Sequence, residues 1–203
     1  MILPIHLYGA SIWNAPAQKV NRFDERTVGL IHDMFDTMRH ADGIGLSAPQ
    51  VGMNISLAVI DTSGMEGHAT DGPLVVINAE ILSSSEEETT MEEGCLSIPG
   101  IHEEVRRPES VIVRYVDGNF EPVEIEYSGV LSRVFQHEYD HSHRKFFTDR
   151  VSMLRRQLLK PRLSAIKGGN VTARYPVVSA SGRLPVRRTL SAGKEPDTRK
   201  IEL

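Results

Sequence analysis

At 203 residues, with 40% hydrophobic and 25% charged side chains, the chain holds enough apolar material for one well-buried domain and does not require two. No apolar run approaches the roughly 20 residues that cross a bilayer, and the stretch from Met1 to His6 lacks the charged and apolar parts of a signal peptide. A single cysteine, Cys95, excludes a disulfide-stapled fold, so a cytoplasmic protein is expected.

The first 23 residues read as extended and irregular, broken by Pro4 and Pro16. A helix is predicted over 24–40, where Leu30, Ile31, Met34, Phe35 and Met38 recur at helical spacing behind an Asp24 N-cap. Strands are predicted at 55–61 and 74–78, with a polar, Gly-rich surface loop at 62–73 between them. Ile81 and Leu82 start a further extended piece, and the Ser/Glu run at 83–88 reads as a solvated loop. Residues 111–116 and the alternating Val123, Ile125 and Tyr127 form two more strands around the turn Asp117-Gly118-Asn119.

A second helix is predicted over 130–143. A third, over 149–159, sets Val151, Leu154 and Leu158 opposite Arg155, Arg156 and Lys160. After Gly168-Gly169 at most one short strand is expected, near 175–178. The domain reading is a catalytic unit at 1–165 and a basic, extended or disordered tail at 166–203. From 161 onward nine Lys or Arg face three Asp or Glu, a bias that suits an anionic partner such as RNA or a solvated tail. Strands without regular βαβ alternation indicate an α+β fold.

The chemistry concentrates in His137-Glu138-Tyr139-Asp140-His141. Residues four apart share one helix face, so both imidazoles can reach one metal ion, while Glu138 can accept a proton from water at the ion's open position. Val130 and Val134 continue the same stripe, so the histidines point into the core, where an imidazole needs a partner. Catalytic metal sites usually take three protein ligands. Downstream there are only His143, on the wrong face, and acids in a loop or the tail, which argues against an endopeptidase that draws its third ligand from there. Cys95, in Glu93-Gly94-Cys95-Leu96-Ser97, supplies the missing ligand, and a thiolate admits zinc or ferrous iron. Alternative readings are a small buried thiol for Cys95 alone, and a non-catalytic metal-stabilised module for the whole. A third segment, Gly43-Ile44-Gly45-Leu46-Ser47-Ala48-Pro49-Gln50, allows close backbone approach and offers Gln50 as an amide donor to a polarised carbonyl.

In this order the three segments resemble the signature motifs of the peptide deformylase family: Gly-x-Gly-x-Ala-x-x-Gln, Glu-Gly-Cys-x-Ser and His-Glu-x-x-His. The resemblance covers roughly residues 8–150. It implies Cys95, His137 and His141 as metal ligands, Glu138 as general acid/base, Gln50 and the Leu96 N–H as an oxyanion hole, and Gly45 on the substrate backbone. It implies antiparallel sheets surrounding a central helix that carries the pentad. It also implies ferrous iron, with zinc, nickel or cobalt as substitutes. The implied reaction removes the formyl group from the N-terminal methionine of newly made proteins and releases formate. Ile44, Val134 and Phe135 are candidate walls for the methionine side chain. The ribosome is a possible partner through the third helix and tail, no membrane partner is expected, and a monomer is favoured.

Five positions depart from the pattern. Ser47 replaces Ala, a change expected to be silent. Ser142 and Arg144 stand where Leu and Gly are usual, and Ile12-Trp13 stands where an Arg follows a Leu.

Overall fold

A computed structural model describes residues 1–65 and 72–184. In chain order its elements are β1 (Ile5–His6), α1 (Glu25–His40), β2 (Gly45–Ser47), β3 (Leu57–Ile60), β4 (Leu74–Ser84), β5 (Glu88–Glu93) and β6 (Glu103–Pro108). There follow β7 (Ser110–Val116), β8 (Pro122–Ser128), α2 (Gly129–Ser142), α3 (Met153–Lys167), β9 (Val177–Ser179) and β10 (Gly182–Leu184). One antiparallel sheet has the order β2-β3-β4-β7-β8, β5 and β6 form a separate ribbon, and β9 joins β1 in parallel and β10 antiparallel.

Local chemistry explains the elements the sequence announces. Asp24 caps α1 by accepting from the Thr27 N–H at 3.1 Å, and Ile31, Met34 and Met38 are its buried stripe. In the β7–β8 hairpin the Asp117 carboxylate accepts from the N–H groups of Asn119 and Glu121, at 2.8 and 2.9 Å. The left-handed residue of that turn is Phe120, at φ 66°, not Gly118.

Three expectations change. The 83–88 segment is only partly loop: β4 runs on to Ser84, and β5 starts at Glu88. The third helix begins and ends later than expected and turns a different face inward, burying Leu159, Leu163 and Ile166 while Leu154 stays 69% and Leu158 60% exposed. Beyond residue 165 the chain remains in the core through Ile166, Ala173, Tyr175 and Val177, and two short strands form there rather than one. The rest of the expected tail, 185–203, lies outside the described residues, as does 66–71 of the 62–73 loop.

α2 lies between two apolar clusters, one built around Met34, Met38, Cys95, Leu96 and Phe147, the other around Val111, Val113, Tyr115, Val134 and Phe135. It is buried nearly all round, although Arg133, Gln136, His137, Glu138, Asp140 and His141 are among its buried residues. A core helix with so many polar groups is costly unless most of them find partners. The partners define the site.

Candidate metal centre

His137 and His141 stand one turn apart on α2, their ring centroids 4.8 Å apart and nearly perpendicular. β5 ends at Glu93, and the chain then turns through Cys95, with the Ile98 N–H donating to the Cys95 carbonyl at 2.8 Å. That turn brings Cys95 Sγ to 3.3 Å from His141 Nε2. Ligand atoms of Cys95, His137 and His141 all lie within 4.8 Å of one another, and all three residues are buried. His137 Nε2 has no hydrogen-bond partner. One sulfur and two imidazole nitrogens that converge in the interior fit a tetrahedral, thiophilic divalent ion with one open corner.

Glu138 is 2% exposed and neither of its carboxylate oxygens has a hydrogen-bond partner. Burial pushes its pKa well above the usual carboxylate range. Burial of this kind favours the protonated form of a carboxyl. A Cβ on Gly45 would lie 2.5 Å from Glu138 Oε1 and 3.1 Å from Val134 Cγ1. A Cβ on Gly43 would meet Leu96 Cδ1 at 2.8 Å. The two glycines therefore let β2 close on α2 and on the Cys95 turn together, which is the physical content of the first motif.

Gln50 sits in the short 3₁₀ turn Ala48–Val51. The Ser47 N–H and hydroxyl both donate to Gln50 Oε1, at 2.8 and 3.0 Å, so the amide nitrogen faces Cys95 Sγ at 3.7 Å. The Ser47 hydroxyl thus gives Gln50 Oε1 a second donor, which an alanine would not supply. Leu96 is buried beside Cys95, and Ile44 packs with Val134 and Phe135 in the second apolar cluster. Phe135 also meets the rings of Tyr115 and Tyr127, at 6.0 and 5.7 Å.

Several supporting residues escaped the sequence reading. Glu93 Oε2 lies 2.9 Å from His137 Nδ1, which leaves Nε2 for a metal. Arg107 grips Glu93 with two donors, at 2.6 and 2.8 Å, and Arg133 adds a third at 2.9 Å. Arg107 also donates to Asp140, which Arg150 holds from the surface side with two donors at 2.6 Å. Burial alone would raise the Glu93 pKa, but Arg107 and His137 hold it far below the usual carboxylate range. The available signal was charge at strand positions that must face inward: Glu93 and Arg107 are both 0% exposed. His141 is pushed well below its ordinary pKa, chiefly by burial and then by His137, which keeps it in the neutral form a metal requires.

Comparison with known proteins places this arrangement. A family model described as polypeptide deformylase matches residues 2–157. The peptide deformylase of Chlorobium phaeobacteroides is 44% identical over 180 residues, covering 89% of this chain and 95% of that one. That of Salinibacter ruber is 44% identical over 186 residues, covering 88% and 95%. Among solved structures, peptide deformylase 1B of Arabidopsis thaliana, crystallised with an inhibitor, superposes with a TM-score of 0.76 at 38% identity, covering 83% of this chain and 92% of that one. The peptide deformylase of Legionella pneumophila gives 0.74 at 39% identity, covering 84% and 98%.

Proposed function

The chain belongs to the polypeptide deformylase family, and from that membership we propose a residue-level account of its reaction. It is a metal-dependent hydrolase that removes the formyl group from formyl-methionine at the N-terminus of new polypeptides. Cys95 Sγ, His137 Nε2 and His141 Nε2 would hold one divalent ion, ferrous iron in our reading, with zinc, nickel or cobalt as working substitutes. A bound ion there supplies a water of lowered pKa and polarises the formyl carbonyl. Glu138 takes the water's proton at its carboxylate and later delivers it to the departing amine. Gln50 Nε2 and the Leu96 N–H donate to the oxygen that gains charge, and each such donor is worth about 10²–10³ in rate. Gly45 leaves room for the substrate backbone beside Glu138, and Ile44 and Val134 wall the methionine side chain.

The observation that carries this reading is the unpartnered Glu138 carboxylate beside three converging ligand atoms. A non-catalytic metal module gives Glu138 nothing to do. An endopeptidase needs a downstream ligand, and His143 is exposed, with Nδ1 2.9 Å from the Tyr139 carbonyl. The test is formate release from a formyl-Met-Ala-Ser peptide by anaerobically purified, nickel-loaded protein, with the acetylated peptide as control. Rapid release from the formyl peptide alone is expected. Glu138→Gln should keep one ion per chain and lose about 10²–10⁴ in kcat; parental turnover in that variant would remove Glu138 from the mechanism.

The same reading makes the protein a cytoplasmic monomer that meets its substrates at the ribosome. No helix among the described residues is long and apolar enough to cross a membrane. Met153, Leu154 and Leu158 are exposed beside Arg155, Arg156 and Lys160, a surface suited to ribosomal RNA and protein. Unchanged ribosome affinity after loss of α3's exposed side chains and the basic end would count against it.

A further inference from the structure

The two metal-ligand imidazoles are held in different ways. Glu93 pins His137 through Nδ1 at 2.9 Å, whereas His141 Nδ1 has only the Lys145 backbone nearby and no hydrogen bond of good geometry. Metal-binding histidines are normally oriented by a hydrogen bond at the second nitrogen. In place of one, aromatic rings enclose His141: Trp13 at 5.4 Å and 45°, Phe146 at 5.2 Å and 70°, and His137. Trp13 and Phe146 also pack edge to face on each other at 4.8 Å.

Trp13 is itself fixed at three points. Its indole Nε1 donates to the Leu7 carbonyl at 3.1 Å, its N–H donates to the Ala10 carbonyl at 3.2 Å, and its carbonyl accepts from Arg144 Nε at 3.0 Å. Arg144 sits just past the end of α2 in the left-handed region, at φ 62°, and its N–H donates to the His141 carbonyl at 3.1 Å. The Ala17 N–H donates to the Ser142 carbonyl at 3.0 Å, a second tie between the same two segments. Two positions that depart from the family pattern, 131 residues apart, are thus partners in one contact around a ligand ring.

We propose that Trp13 is a positioning residue for the metal ligand His141, setting the imidazole plane by packing where no carboxylate pins it, with Arg144 locking Trp13 to the end of the ligand helix. The inference rests on the metal-site reading above. Arg144 accepts a backbone conformation that favours glycine because its guanidinium reaches the Trp13 carbonyl from there.

Trp13 is the single tryptophan of the chain, so its fluorescence reports directly on this contact. The experiment loads metal-free protein with cobalt(II), follows tryptophan emission and the cobalt d–d and thiolate bands, and measures affinity against a chelator. Emission should fall in proportion to cobalt up to one ion per chain. Trp13→Ala should weaken cobalt affinity by about tenfold or more and shift the d–d bands, while Trp13→Phe recovers most of both. Arg144→Gly leaves the core untouched and should speed cobalt release and shift Trp13 emission, which keeps the test open if Trp13→Ala fails to fold. Val113→Ala, in the other apolar cluster, controls for general loss of stability. Parental cobalt affinity and spectrum in Trp13→Ala, or equal weakening in Val113→Ala, would overturn the proposal. Failure of the parent protein to bind cobalt would instead sink the metal-site reading, and this inference with it.

Discussion

At the scale of single residues, the site pairs two buried carboxyls whose pKa values are pushed in opposite directions. Glu93 and Glu138 are both buried, yet Glu93 has Arg107, Arg133 and His137 around it while the oxygens of Glu138 have no partner. Their pKa values therefore move apart, Glu93 down and Glu138 up, as expected when environment assigns different tasks to one residue type. A cost to stability follows. A carboxyl raised above its unfolded value of about 4.3 binds its proton more tightly in the folded state. Its contribution is intact below that pH and is lost as pH rises through the folded pKa. Metal-free Glu138→Gln should therefore melt higher than the metal-free parent at pH 8, by on the order of 1–3 kcal/mol, with the gap closing toward pH 4. Calorimetry at both pH values checks this; equal melting temperatures at pH 8 would mean that Glu138 ionises in the interior without penalty.

At the scale of elements, legibility tracked how far one local rule governed each segment. α1, the β7–β8 hairpin and the pentad helix were readable because cap, turn and period agreed. The β5–β6 ribbon was missed because its inward positions include Glu93, Glu103 and Arg107, whose charges satisfy one another or Arg155 across space. Read along the chain, they look like a solvated run. That Cys95, His137, His141 and Glu138 come together was legible from residue type and spacing; that Glu93, Arg107 and Asp140 stand behind them was not, since nothing local pairs them. α3 misled for a different reason. It carries two leucine series at helical spacing, 154 and 158 against 159 and 163, and only tertiary packing chooses between them. The choice is testable by urea unfolding. Leu163→Ala should cost about 2–4 kcal/mol, whereas Leu154→Ala and Leu158→Ala should stay within about 0.5 kcal/mol. A large loss in the second pair would mean that the exposed stripe is covered in solution.

At the scale of the molecule, the two ends of the described chain converge on the turn that carries Cys95. The Tyr8 N–H donates to the Ser97 carbonyl at 2.8 Å, and the Tyr175 hydroxyl donates to the Leu96 carbonyl at 2.9 Å. Both segments are tied together by the β1–β9 pairing, in which the Ile5 N–H donates to the Pro176 carbonyl and the Leu7 N–H to the Val178 carbonyl, each at 2.8 Å. The N-terminal side contributes Trp13 to the ligand ring as well. The turn bearing Cys95 and Leu96 is thus held from outside as well as by its own Ile98-to-Cys95 hydrogen bond. This makes the segment after α3 part of the site's support although no reacting group lies on it. Tyr175→Phe removes one neutral hydrogen bond, so unfolding free energy should fall by only about 0.5–1.5 kcal/mol. The Leu96 N–H would lose its fixed direction, and kcat for the formyl peptide should fall several-fold with KM little changed. Ending the chain after Asn170 removes Tyr175 together with β9, and should lower the melting temperature and kcat together. Parental kcat in Tyr175→Phe would show that the Cys95 turn holds its own geometry, leaving β9 a role in stability alone.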